Sequence, residues 1–351
     1  MNIAIISFTK RGRELSFSLR EALKEKGTVT LAPKQKKVSE WAGRQFEAGN
    51  AMIFIGACGI AVRAIAPHVK DKLYDSPVLV IDEYGQYVIP ILSGHVGGAN
   101  ELSRFLAKQI GASAVITTAT DLNGKFAVDV FAKKNGLAIL DKAGIVKVSA
   151  KVLNGERVTV SVEGYEKTNV MEDLEKELPK DMELVSYPPE GEADIVISTD
   201  REVLSHAVLP LKPKEYVLGI GCKKGKSTEE IEVFIGEILE KMGITEKEIA
   251  GLFSIDKKKE EEGILRWAAK KKIPYQTFSA EELARIPGVF EGSEFVKEQV
   301  GIDNVCERAA LAGCKAGGWL VLKKQIKNGI TLAAAKRKWS IDWRGDTENE
   351  A

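Results

Sequence analysis

Long hydrophobic runs, clustered cysteines and an excess of either charge sign are all missing from this chain of 351 residues. No apolar stretch approaches the ~18 residues of a membrane span, which argues against a membrane protein. Lys plus Arg number 51 against 50 Asp plus Glu. There is thus no overall basic field for nucleic acid, and local lysine clusters must carry any recognition of anions. The four cysteines, Cys58, Cys222, Cys306 and Cys314, form no CxxC pair and no metal-like spacing. Reduced thiols in a cytoplasmic protein are therefore expected, and no zinc or iron–sulfur site. The first residues enter a strand at once, without a signal-peptide layout. Internal repeats and low-complexity segments are also absent.

What is present is an ordinary apolar fraction, 44%, enough for two or three cores at this length. Short apolar runs alternate with helical spacings of about ten residues. Strands are expected at 2–8, 29–31, 51–55, 78–81, 87–92 and 114–118. Helices are expected at 14–26, 38–47, 60–66, 99–109 and 127–134, with 9–13 as a polar loop. The texture then becomes β-rich, with strands at 138–140, 145–148, 157–162 and 193–198 around a charged segment, 166–183. Leu209-Pro210-Leu211-Lys212-Pro213 reads as a linker. A new alternation follows: strands 216–220, 251–255 and 275–278, helices 227–242, 260–272, 280–286 and 304–311, closing strands 319–322 and 330–335. The expected fold class is α/β, with an N-terminal open, mostly parallel sheet domain (1–135), a small middle domain or insertion (136–213) and a C-terminal α/β domain (214–340). Residues 341–351 are expected to be a frayed acidic tail.

Chemistry concentrates where strands hand over to helices. In the first domain these junctions are Gly56-Ala57-Cys58-Gly59 with Arg63, Ser93-Gly94-His95-Val96-Gly97-Gly98, and Thr117-Thr118-Ala119-Thr120-Asp121. In an open parallel sheet such junctions line one crevice at the carboxyl edge. Gly56, Gly59, Gly94, Gly97 and Gly98 let backbone approach a ligand, and the positive end of a helix favours an anion. On this reading Arg63 and the glycine amides take carboxylates, with Ser93 and Thr118 beside them, while His95 moves protons and Asp121 orients or accepts. The plain alternatives are a surface ion pair for Arg63 and a helix cap for Asp121. His68 is expected at the surface and Cys58 as a small core-edge thiol.

In the last domain, Gly219-Ile220-Gly221-Cys222-Lys223-Lys224-Gly225-Lys226-Ser227 suggests a phosphate loop, but the spacing refuses it. A P-loop needs glycine five positions before the Gly of Gly-Lys-Ser, and Ile220 stands there. What survives is a Gly/Lys-rich loop before a helix, with Lys223, Lys224 and Lys226 suited to carboxylates or a phosphate. A merely solvated basic loop is the alternative. Glu307 and Arg308 either face a ligand or serve as charges within their own helix.

These stretches together, GACGIAVRAIAPHVKDK (56–72), PILSGHVGGANELSRFLA (90–107), ITTATD (116–121), GIGCKKGKS (219–227) and FVKEQVGIDNVCERAAL (295–311), closely resemble the cobalt-precorrin-5A hydrolases of anaerobic cobalamin (vitamin B12) biosynthesis. The last domain also looks like a stand-alone protein of the aerobic pathway. The resemblance implies a small-molecule substrate, a cobalt-bearing tetrapyrrole with many carboxylate arms and a δ-lactone. It further implies lactone opening by water and release of the C20 fragment as acetaldehyde. No protein cofactor or metal site is implied, because the substrate carries the cobalt, and neighbouring pathway enzymes are conceivable partners. The reading from a different class is a non-catalytic tetrapyrrole carrier. Within the hydrolase reading, His95 serves as base and the amides of Gly97 and Gly98 as oxyanion donors.

Overall fold

The computed structural model describes residues 2–33, 37–47, 49–71, 75–95, 97–122, 124–165, 178–292, 298, 301–315 and 317–343. Among the described residues three sheets follow one another, one of six strands and two of five.

In the first unit, β1 (Asn2–Ser7), β2 (Thr28–Leu31), β3 (Ala51–Ile55) and β4 (Val78–Ile81) run parallel. β5 (Tyr87–Leu92) and β6 (Ser113–Ala114) complete the order β2-β1-β3-β4-β5-β6. The all-apolar run of β3 is buried throughout because helices cover both faces. α1 (Lys10–Ala22) and α4 (Ala99–Ile110) place Leu19, Leu102 and Leu106 on one face. On the other, α2 (Val38–Glu47) and α3 (Cys58–Ile65) place Trp41, Ala61 and Ile65. The expected loop at 9–13 is helical instead. Thr9 adopts an extended backbone and its hydroxyl accepts the Gly12 amide at 3.0 Å, so the N-cap sits four residues earlier than the apolar spacing indicates.

One strand direction departs from the expected pattern. β5 runs against β4, with Val78 opposite Leu92 and Ile81 opposite Val88, and β6 follows β5. The five-residue connection between β4 and β5, 82–86, makes a hairpin, which reverses the chain where a helical crossover would have kept it parallel. The carboxyl end of β5 therefore lies beside the amino ends of β3 and β4.

The middle unit has the order β7-β11-β10-β8-β9, with β7 Leu137–Ile139, β8 Val158–Val162, β9 Met182–Leu184, β10 Ala193–Ile197 and β11 Ala207–Pro213. Two expectations fail here. Residues 145–148 belong to a helix, α7 (Lys142–Leu153), because Asp141 caps it and Ile145, Val148 and Val152 fall on one buried face. The proposed linker at 209–213 is a strand inside the sheet, paired to β10 and β7, and Leu209 and Leu211 are fully buried. Its prolines tolerate the pairing because Pro210 still accepts through its carbonyl from the Leu140 amide at 3.1 Å. α6 (Val128–Lys134) buries Val128, Phe131 and Ala132 in this middle core. Ile341 and Trp343 return to the same core, with Trp343 stacked on Phe131 at 4.9 Å. That corrects the frayed reading of 341–351 as far as Trp343, and residues 344–351 lie outside the described residues, as does 166–177 of the charged segment.

The third unit has the order β14-β13-β12-β16-β15. β12 (Tyr216–Cys222), β13 (Ile249–Ile255) and β14 (Tyr275–Phe278) are parallel; β16 (Ile330–Lys336) runs antiparallel to β12 and pairs antiparallel with β15 (Trp319–Lys327). α9 (Thr228–Met242) and α10 (Glu262–Lys271) cover one face, and α12 (Cys306–Gly313) covers the other. The short α5 (Ala119–Leu122), α8 (Arg201–Leu204) and α11 (Ala280–Ala284) complete the helices used below. An ion pair between half-buried Lys212 and buried Glu248 ties the second and third units together.

Candidate functional site

The loop after β5 is built by its own backbone. Ser93 takes a left-handed conformation (φ 55°), rare for a residue with a side chain, and Gly98 does the same at φ 87°. The Ser93 hydroxyl donates to the carbonyl of Asp75 at 2.8 Å, which anchors the strained residue. Asp75 is itself held because its carboxylate accepts the amides of Lys70 and Asp71. Gly97 leaves no room for a side chain: a Cβ would stand 2.3 Å from that of Ser93.

The glycine amides are used differently from the expectation. The amide of Gly98 donates to the carbonyl of His95 (2.9 Å), that of Ala99 to Ser93 (3.1 Å) and that of Asn100 to Gly94 (2.9 Å). With Gly98 at the N-cap, α4 has no capping side chain, and the curled loop satisfies its first amides instead. The Gly98 amide is therefore not available as an oxyanion donor. Among the described residues, the amide of Gly97 stays outside this internal network.

Asn100, 4% exposed, was not singled out from the sequence. Its amide donates to the Thr118 hydroxyl at 3.0 Å, which brings the 117–121 segment against the glycine loop. Asp121 falls in α5, but its side chain, like Val96, lies outside the described residues. His95 is largely covered, with 18% of its side chain exposed, and its Nδ1 lies 3.8 Å from the carboxylate of Asp129 at the start of α6. Asp129 also escaped the sequence reading, because it is 34 positions away and reads as an ordinary first-turn acid. The helix-start acid was visible, but its neighbour was not.

Two of the three junctions thus meet, and the third does not. Gly56, Gly59 and Arg63 follow β3, at the edge opposite to the one reached by β5. There the exposed Arg63 folds its guanidinium along Gly59, and the Phe8 ring lies against Gly56. The single crevice expected of three junctions at one edge of an open, mostly parallel sheet is corrected by the reversed β5. Cys58, expected at a core edge, is exposed at the start of α3. His68 is half-buried, its ring against Gly43 and 5.8 Å from that of Phe46.

The segment behind Ser93 is also where the three units approach each other. Lys142 of α7 makes an ion pair with Asp71. Lys272, at the end of α10, has its ammonium pushed below the usual lysine range by burial, against the opposing pull of Asp75 and Asp71.

In the third unit, Gly219 and Gly221 serve packing. A Cβ on Gly219 would stand 1.9 Å from the Cys306 carbonyl oxygen and 2.6 Å from the Ala310 amide, so glycine lets α12 lie directly on β12. The lysine loop beyond is partly neutralised from within. Lys226 pairs with Glu230 at 2.6 Å, and the Gly225 amide donates to Glu261 at 2.7 Å. Burial opposes ionisation of Glu261, yet Lys258 and the Gly225 amide hold its carboxyl below the usual range. Lys223 and Lys224 remain exposed at this edge. Glu307, 1% exposed, accepts from Asn304 (2.7 Å) and from the Lys324 amide (2.8 Å), and Arg308 caps the carbonyls of Leu283 and Ile286. Both are internal braces. Among the described residues no group of three His, Cys, Asp or Glu side chains is placed to hold a metal ion, and no helix is long and apolar enough to cross a membrane.

Three family models match in succession: Cobalamin synthesis G N-terminal over residues 40–121, Cobalamin biosynthesis central region over 126–213, and Cobalamin synthesis G C-terminus over 216–335. A cobalt-precorrin-5A hydrolase from Salmonella typhimurium is 35% identical over 323 residues, covering 89% of this chain and 88% of that protein. One from Priestia megaterium is 31% identical over 356 residues, covering 95% and 94%. A solved cobalamin biosynthesis protein G homolog from Sulfolobus solfataricus aligns over 96% of this chain and 97% of its own, at 24% identity and a TM-score of 0.42. With all three regions matched in order, the chain belongs to the cobalamin synthesis G family.

Proposed function

We propose that this protein is a hydrolase of cobalamin synthesis that opens the δ-lactone of cobalt-precorrin-5A and expels the former C20 bridge as acetaldehyde, giving cobalt-precorrin-5B. The observation that carries this reading is the 35% identity over 89% of the chain to a cobalt-precorrin-5A hydrolase. The placement of His95 in a strained, largely covered loop supports a proton-handling role. His95 takes a proton from water as its oxygen attacks the lactone carbonyl, and the acyl–oxygen bond breaks to a carboxylic acid and a hydroxyl. The Gly97 amide faces the developing oxyanion. A base then removes the hydroxyl proton, the carbon–carbon bond to the macrocycle breaks, and acetaldehyde leaves. The electron pair passes into the substrate's conjugated ring and its cobalt, so the chain's own task is binding and proton transfer. Asp121 assists that transfer. Exposed Lys223 and Lys224 hold carboxylate arms as charge-assisted contacts, with Lys226, already paired to Glu230, contributing less.

The test is acetaldehyde release by the purified protein from cobalt-precorrin-5A, with no other enzyme present. Stoichiometric acetaldehyde and cobalt-precorrin-5B are expected. Tight binding of the substrate without turnover would replace the hydrolase reading with that of a carrier.

A further inference from the structure

Asp129 belongs to one unit and His95 to another. α6 is rooted in the middle core through Val128, Phe131 and Ala132, whereas His95 sits in the loop after β5 of the first sheet. Their side chains meet at 3.8 Å, Asp129 Oδ1 to His95 Nδ1, with 13% and 18% of them exposed. Both ends are held. The carbonyl of His95 accepts from Gly98 at 2.9 Å, and Asp129 Oδ1 accepts the Val130 amide at 3.0 Å. The middle unit also reaches the anchoring end of the same loop. Lys142 of α7 pairs with Asp71, Asp71 donates its amide to Asp75 at 2.9 Å, and the Asp75 carbonyl takes the Ser93 hydroxyl.

A carboxylate facing Nδ1 favours the tautomer with its proton there, which leaves Nε2 unprotonated and able to accept. We infer that Asp129 is a positioning residue, supplied by the middle unit, that fixes the tautomer and direction of the His95 ring. This rests on the reading of His95 as the proton carrier. It also gives the middle unit a function: it completes a site whose reactive side chain lies on the first sheet. Other charges stand near by, since Lys133, one turn beyond Asp129, feels Glu101 of α4.

The chain has three histidines, so the full-length protein labelled with ¹⁵N-histidine shows three imidazoles, with His68 and His206 as internal controls. In the wild type at high pH, His95 is expected as the Nδ1–H tautomer; an Nε2–H tautomer overturns the inference whatever the variants do. Asp129→Asn is expected to shift the His95 ring signals and leave those of His68 and His206 in place. It should lower kcat by about the 10–100-fold typical of groups that orient a functional histidine, with KM little changed, and Asp129→Glu should recover part of the loss. Unchanged His95 signals and unchanged kcat in a folded Asp129→Asn protein would also overturn it. If His95→Ala keeps full turnover, the proton-carrier reading falls. If His95→Ala is inactive while Asp129→Asn is normal, only the present inference falls.

Discussion

Two glycine-rich junctions, 93–98 on the first sheet and 219–227 on the third, look alike as strings and do opposite things. In the first, Gly97 and Gly98 allow a loop to fold onto itself and satisfy the opening of α4, leaving a histidine beside an acid from another unit. In the second, Gly219 is smooth backbone on which α12 rests, and the lysines beyond it are a charged rim. A glycine before a helix therefore says only that a side chain will not fit. Whether a ligand or the protein's own helix fills the space depends on what packs there.

Substitutions can break this comparison. The largest effect is expected from His95→Ala, which should cut turnover about 10²–10⁴-fold, measured as acetaldehyde release, while the unfolding midpoint stays near that of the parent. Gly219→Ala should do the reverse. Its Cβ would meet the backbone of α12 at 1.9 Å and 2.6 Å, an overpacking that costs about 3 kcal/mol or more in urea unfolding. A Gly219→Ala protein as stable as the parent would show that α12 is not seated on β12. Smaller again, Lys223→Ala with Lys224→Ala should raise KM a few-fold at low salt, an effect that shrinks at high ionic strength, with kcat and stability nearly unchanged. An effect on kcat instead would move these lysines into the reacting part of the site.

The smallest expected effect is a difference in thiol labelling. Burial pushes Cys222 and Cys314 up to about 11 and Cys306 up to about 12. At pH 8 their thiolate fractions are then on the order of 10⁻³ or below. Cys58 is exposed on the first unit. Mass spectrometry after brief iodoacetamide treatment should find one alkylated cysteine, and rapid alkylation of the three in the third unit would contradict their burial.

Much of the architecture was legible. β3, β4, β5, α2 and β14 fall where apolar spacing places them; Gly56 closes β3, and Pro77 and Pro274 precede β4 and β14. The misreadings have physical causes. Residues 145–148 alternate well enough for a strand, but Asp141 starts a helix and Val152 completes its stripe. The prolines at 210 and 213 suggested a break, yet the strand they interrupt is buried by its neighbours on both sides. Helix start at Lys10 was hidden because a hydroxyl cap carries no hydrophobic period.

The site was legible as residue types and not as an arrangement. Local chemistry along the chain determined that His95 sits in a glycine loop, that Lys223 and Lys224 follow a strand, and which runs are apolar enough to form three cores. Tertiary structure decided the rest. The direction of β5 sent its loop to the edge away from Gly56 and Arg63, and the docking of α6 brought Asp129 to His95. Strand direction and helix docking depend on contacts between residues far apart in the chain, and no local period encodes which of them will meet.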